Sequence, residues 1–105
     1  MSKNQAKRKV IEFGKLLRQH GFLFSHIYMF GSVATGKSTE ESDIDVAVIA
    51  KKRPRNFFEK EGELWILAPK VDSRIEPVLL CESDIKKNGS SIIGSEVNKN
   101  GLKVL

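Results

Sequence analysis

Two short stretches bring together the residue types that phosphoryl chemistry needs. Residues 31 to 38 read GSVATGKS, and residues 42 to 48 read SDIDVAV. The first satisfies the phosphate-cradling P-loop pattern G-x-x-x-x-G-K-[ST] at every required position. A P-loop, however, runs straight into a long helix and is followed later by a strand ending in a metal-binding aspartate. Here the polar turn TEESD follows Ser38, and the apolar run IDVAVIA begins only six residues on, which leaves no room for that helix. The apolar runs Ile44 to Ala50 and Val78 to Leu80 are followed by Lys51 and Cys81, so the second P-loop element is missing as well. The P-loop match is therefore read as fortuitous.

The second stretch carries a stronger chemical signal. Asp43 and Asp45 stand two apart at the mouth of an extended run, so they share a strand face with attachment points roughly 6.5 to 7 Å apart. Carboxylates so placed can straddle metal ions. Phosphoryl-transfer sites commonly use two magnesium ions about 3.5 to 4 Å apart, one activating the attacking hydroxyl and one holding the triphosphate and its leaving group. Oxygen ligands in this geometry favour magnesium or manganese over zinc. Gly31 lets the backbone approach phosphates closely, and Ser32, with the N–H groups of the short helix it begins, offers an anion site. Lys37 either neutralises triphosphate charge or is a solvated loop lysine. The plainer account of the two aspartates, acids that merely solvate a strand entrance, is disfavoured because the Gly-Ser stretch stands just ahead of them.

These residues must be positioned by the elements around them. From Asn4 to His20, Ala6, Val10, Phe13 and Leu17 fall at helical spacing and Gly21 follows as a stop. Phe22 to Phe30, FLFSHIYMF, should hold a first strand that ends at Gly31, and Ile44 to Ala50, apolar on both faces, should be a central strand. Pro54 is expected to open a helix whose apolar stripe of Phe57, Phe58, Leu64, Trp65 and Ala68 reads mainly as core, and Pro69 to stop it. Arg74 to Leu80 reads as a further strand, demoted toward an edge by Pro77. Ser90 or Ser91 can cap a short helix through Asn100, Gly101 can end it, and LKVL can add a last strand.

Composition bounds the rest. A chain of 105 residues with 40% hydrophobic and 30% charged residues reads as one folded domain. The single cysteine, Cys81, cannot form an internal disulfide or a cysteine cluster, and no run reaches membrane-spanning length, so a cytoplasmic location is expected. The net charge of +5 suits a protein that handles polyanions, with cations gathered at Lys3 to Lys9 and Lys51 to Arg55. Nucleic acid is disfavoured as a direct substrate, since no aromatic residues interleave with those clusters. His20 and His26 have no acid or cysteine at metal-ligand spacing and are given no role.

Read together, GSVATGKSTEESDIDVAV resembles the signature of the nucleotidyltransferase superfamily that includes DNA polymerase beta: Gly-Ser, a glycine a few residues on, then Asp-x-Asp entering an apolar strand. Gly31, Ser32, Gly36, Ser42, Asp43, Asp45 and Val48 all fall in register. The sequence is similar to the minimal nucleotidyltransferases of antitoxin type, and Ile93 to Leu105 looks like their usual ending. The resemblance implies an α+β fold, a mixed twisted sheet with helices packed on it, with residues 1–105 as a single small domain. It implies transfer of a nucleoside monophosphate, AMP from ATP, to a hydroxyl acceptor with two magnesium ions. Asp43 and Asp45 match the family's metal ligands, and Glu76, just before an apolar run, matches its third carboxylate, with Asp72 in reserve. Gly31, Ser32, Gly36, Lys37 and Ser42 would then contact the nucleotide. With no second domain to bind an acceptor, the implied acceptor is a tyrosine of a partner, a small helical HEPN toxin. Thr35 departs from the pattern, since many minimal members carry arginine there. The alternative is a module of the same fold that has lost catalysis and neutralises or scaffolds its partner by contact.

Overall fold

The computed structural model describes residues 1–39, 41–86 and 91–105. Helix α1 (Lys3–Gln19) starts where Ser2 and Gln5 form a reciprocal cap: the Ser2 Oγ accepts from the Gln5 N–H, and the Gln5 side chain accepts from the Ser2 N–H. Its buried stripe is the one its spacing predicts, Ala6, Val10, Phe13 and Leu17. Strand β1 (His26–Phe30) leads into the single turn α2 (Gly31–Thr35), and strand β2 (Ile44–Ala50) follows. Helix α3 (Phe57–Leu67), strand β3 (Ile75–Cys81), helix α4 (Ile92–Asn100) and the two-residue strand β4 (Leu102–Lys103) complete the order. Short 3-10 turns lie at Ala68–Lys70 and Glu82–Ile85.

The four strands form one mixed sheet in the order β3-β2-β1-β4. β1 runs antiparallel to β2 and β4, whereas β2 and β3 are parallel. β2 is central and buried on both faces, as an uninterrupted apolar run implies. Its even-numbered residues Ile44, Val46 and Val48 join Ile27, Met29 and Leu79 in a main core against α1 and α3. Its odd-numbered residues Ala47 and Ile49 join Leu80 and Val97 in a smaller core beneath α4. Asp43 and Asp45 have the odd parity, so they extend the α4 face of β2 beyond the end of that smaller core.

β3 lies at the sheet edge, as Pro77 implies, and the edge is closed chemically. The row of N–H groups that points away from β2 belongs to Ile75, Leu79 and Cys81. Ile75 donates to the Asp72 carbonyl at 3.2 Å, Leu79 to the Glu61 Oε2 at 3.0 Å and Cys81 to the Asp84 Oδ2 at 2.8 Å. Pro77 occupies the remaining position of that row and has no N–H to leave unpaired.

Three expectations are corrected. Pro54 does not open α3, which begins at Phe57 after Asn56, and Pro69 sits inside a 3-10 turn that prolongs the helix end. Leu64, Leu67 and Ala68 are buried, but Phe58 is 82% exposed and Trp65 49%, so the aromatic stripe only skirts the core. The reason is angular: residues 58 and 65 lie about 100° of helical turn from the face that residues 57 and 64 present to the sheet. Ser91, whose Oγ accepts from the Gly94 N–H at 3.0 Å, caps α4, while the alternative cap Ser90 lies outside the described residues.

Candidate active site

The antiparallel pairing of β1 with β2 puts Phe30 opposite Asp45, and the parallel pairing of β2 with β3 puts Asp45 opposite Glu76. The carboxylates of Asp45 and Glu76 thus stand side by side on neighbouring strands, on the α4 face, and Asp43 lies one strand step outside β2 on the same face. Pro77, opposite Val46 and buried, faces the other side and does not disturb this arrangement.

The electrostatics report the same crowding. The Asp45 carboxyl is raised above the ordinary aspartate value, first by burial and then by the charge of Asp43. Glu76 is raised by partial desolvation, by the charges of Asp43 and Asp45, and by a hydrogen bond shared with Asp43. Like charge that hinders the ionisation of Asp45 and Glu76 marks a site that a cation would relieve. Asp72 is different. Arg74 donates to it from Nε (2.9 Å), Nη2 (2.8 Å) and the backbone N–H (2.9 Å), and these bonds hold its carboxyl down to about 2. It anchors the turn into β3 and is committed to that ion pair.

Gly31 closes the site from below. Its φ of 73° is in the left-handed region, and a Cβ there would collide with the Asp45 Oδ2. The backbone of the Gly-Ser turn therefore touches the carboxylate itself, which only a glycine permits. Ser32 is half-buried on the first turn of α2, and its carbonyl accepts from the Lys37 N–H at 2.9 Å and from the Thr35 Oγ1 at 3.3 Å. With five residues, α2 is too short for a substantial dipole, so any phosphate affinity there rests on the Ser32 hydroxyl and local N–H groups.

The structure separates the remaining candidates. Gly36 ends α2 in the left-handed conformation and has open space around its Cα, so its work is the turn. The Ser42 Oγ accepts from the Thr39 N–H at 2.8 Å and lies 3.2 Å from the Thr39 Oγ1, which ties the loop ahead of Asp43. Lys37 is exposed on that loop. A hollow of about 440 Å³ lined by Met1, Gln5, Lys9, Glu41 and Arg74 lies toward the same end of the sheet, because the Ile44 N–H donates to the Arg74 carbonyl. No spacing announced it, since its walls come from three segments far apart in sequence.

Among the described residues no three His, Cys, Asp or Glu side chains stand preassembled around an ion position. The donor set nonetheless fits a hard divalent cation: the facing carboxylates are all-oxygen donors, and Asp45 and Glu76 are raised by burial and by like charge. No described helix is long and apolar enough to cross a membrane.

Comparison with known proteins bears out the fold. The family described as nucleotidyltransferase domain matches residues 7–99. No curated protein matches the sequence. A crystal structure of a toxin-antitoxin with AMP-PNP is similar over 94% of this chain and 72% of its own, with TM-score 0.64 and 30% identity. The toxin-antitoxin MntA-HepT is similar over 97% of this chain and 71% of its own, with TM-score 0.57 and 27% identity. A Sulfolobus solfataricus protein assigned as a nucleotidyltransferase shares the fold at 15% identity, over 96% of this chain and 80% of its own, with TM-score 0.66.

Proposed function

The chain belongs to the nucleotidyltransferase domain family, and from that premise we propose that it transfers AMP from ATP to a hydroxyl of a partner protein, a tyrosine of a small helical HEPN toxin, and so acts as an antitoxin. The observation that carries this reading is the register of Asp45 with Glu76, with Asp43 beside them and Gly31 packed on the Asp45 carboxylate. The similarity to a toxin-antitoxin with AMP-PNP supports the nucleotide and the partner together.

In this reading Asp43, Asp45 and Glu76 would hold magnesium, or manganese in its place. Bound there, the ions would offset the carboxylate charge, polarise the triphosphate and lower the pKa of the attacking hydroxyl. The Gly31 backbone and the Ser32 hydroxyl orient the phosphates. Glu76, an exposed acid of the cluster, accepts the proton of the acceptor hydroxyl as its oxygen attacks the α-phosphorus and pyrophosphate leaves. Gly36 and Ser42 shape the loop that brings Lys37 and Asp43 to the nucleotide. Residues 1–105 act as one transferase domain, and the partner supplies the acceptor.

A second reading, a module that silences its partner by contact alone, is favoured by one observation. Where the family resemblance expects arginine, the Thr35 Oγ1 turns back to the Gly31 and Ser32 carbonyls, at 3.4 and 3.3 Å. Mass spectrometry separates the two readings. After incubation with ATP, magnesium and this chain, the partner should gain one AMP on a tyrosine and should gain none with Asp43→Asn. A partner silenced equally by Asp43→Asn without any mass gain contradicts the transfer reading.

A further inference from the structure

A second surface lies on the opposite face of the sheet, along α3. Two hollows of about 320 and 310 Å³ flank α3 and share Phe22 and Lys60 as a common wall. Together they form a groove between α3 and the corner joining α1 to β1, running from Pro54 before the helix to Lys70 after it. Its floor is apolar: Phe22 and Leu67 are buried there, while Leu23 and Ile66 remain 87% and 69% exposed. Its rim is cationic. Lys51 and Lys52 stand at one end and Lys70 at the other, and the acid Glu63 is already paired with Lys60 at 3.5 Å.

The groove is remote from the carboxylates in two senses. Phe22, Leu67 and Leu79, which border it, belong to the main core, whereas the carboxylates lie on the α4 face. At its Lys51 end the groove is also distant along the strand, since Lys51 follows the last residue of β2 while Asp45 is near its first, a separation of roughly 20 Å. The groove cannot serve the triphosphate.

We infer that this groove docks an acidic amphipathic helix of a partner protein. Two exposed aliphatic side chains over an apolar floor call for apolar anchors, and Lys51, Lys52 and Lys70, which form no ion pair among the described residues, call for carboxylates beside them. A second copy of this chain, with net charge +5, brings the wrong sign. An extended strand is disfavoured because the neighbouring edge of β3 has its outward N–H groups taken by Asp72, Glu61 and Asp84. The eleven residues of α3 span roughly 16 Å, which accommodates about three turns of a facing helix. The inference does not depend on nucleotide transfer, because the docking surface and the carboxylates share no residue.

The test uses a labelled, helix-stabilised peptide with leucines at i, i+3, i+4 and i+7 and glutamates at the flanking positions, followed by fluorescence anisotropy on the full chain. The chain should bind it, more weakly as salt rises. Lys51→Glu with Lys52→Glu, and separately Leu23→Ser, should each weaken binding at least tenfold without shifting the thermal melt. Asp43→Asn should leave it unchanged, so loss of transfer and loss of docking are read apart. A version of the peptide with lysine for glutamate, or with serine for leucine, should not bind. Absence of binding overturns the inference, as does equal binding of the serine version or of a single-stranded oligonucleotide insensitive to Leu23→Ser, which would make the rim a polyanion site. Sedimentation showing self-association that Leu23→Ser abolishes would also overturn it.

Discussion

At the scale of single residues, the site is held together by contacts that oppose its own charge. Asp45 is partly buried next to Asp43, and Gly31 packs against its oxygen. A carboxyl whose folded pKa lies above its unfolded value costs stability as pH rises past the unfolded value, in full above the folded one, so at neutral pH and without a cation these acids strain the fold. Asp45→Asn should therefore raise the thermal midpoint without magnesium, and magnesium should stabilise the wild-type chain but not the variant. A lower midpoint for Asp45→Asn in chelator contradicts the electrostatic account. Ser32 and Lys37 divide the two meanings of GSVATGKS. A P-loop fails without its lysine and tolerates loss of the serine, whereas a Gly-Ser transferase turn should lose ATP turnover more severely with Ser32→Ala than with Lys37→Ala. The opposite ranking in steady-state turnover would restore the P-loop reading. Asp43, Asp45 and the Gly-Ser pair were legible because each is a local pattern. The partnership of Asp45 with Glu76 was not legible from spacing, since a parallel register joins residues 31 positions apart and is fixed only by the fold.

At the scale of elements, β2 matched its sequence residue for residue, because a strand buried on both faces leaves an apolar run with polar ends. The ends of α3 were harder to read. Pro54 is a good first helical residue, but the chain from Lys51 to Asn56 is needed to cross from the end of β2 to the start of α3, and the Arg53 guanidinium stacks 4.0 Å from the Phe57 ring at the entry. The stripe of α3 misleads because aromatic content does not fix burial: the buried residues of the helix are Leu64 and Leu67. The turn into β3 carries its own prediction. Arg74 holds Asp72 down to about 2, well below the 3.8 of an ordinary aspartate, by hydrogen bonds first and charge second. A depressed carboxyl stabilises the fold fully above about pH 4 and loses that contribution as pH falls toward 2. Asp72→Asn should cost about 2 kcal/mol in urea unfolding at pH 7, and the difference should shrink steadily between pH 4 and 2. A pH-independent difference would show that the ion pair is not its source.

At the scale of the whole molecule, the sheet keeps its two charged features apart. The acids converge where β2 and β3 begin, on the α4 face, and Lys51 and Lys52 stand where β2 ends, beside the groove on the main-core side. Of the two basic clusters that suggested polyanion handling, the one at Lys51 and Lys52 therefore stands away from the carboxylates, a division that composition alone could not display. The central claim is that Asp43, Asp45 and Glu76 form a cation-dependent triphosphate site, and calorimetric titration of the intact chain with ATP tests it most directly. In magnesium the wild-type chain should bind ATP measurably, and in chelator binding should fall at least tenfold, because three carboxylates then repel the triphosphate. Equal affinity in magnesium and in chelator would contradict the account.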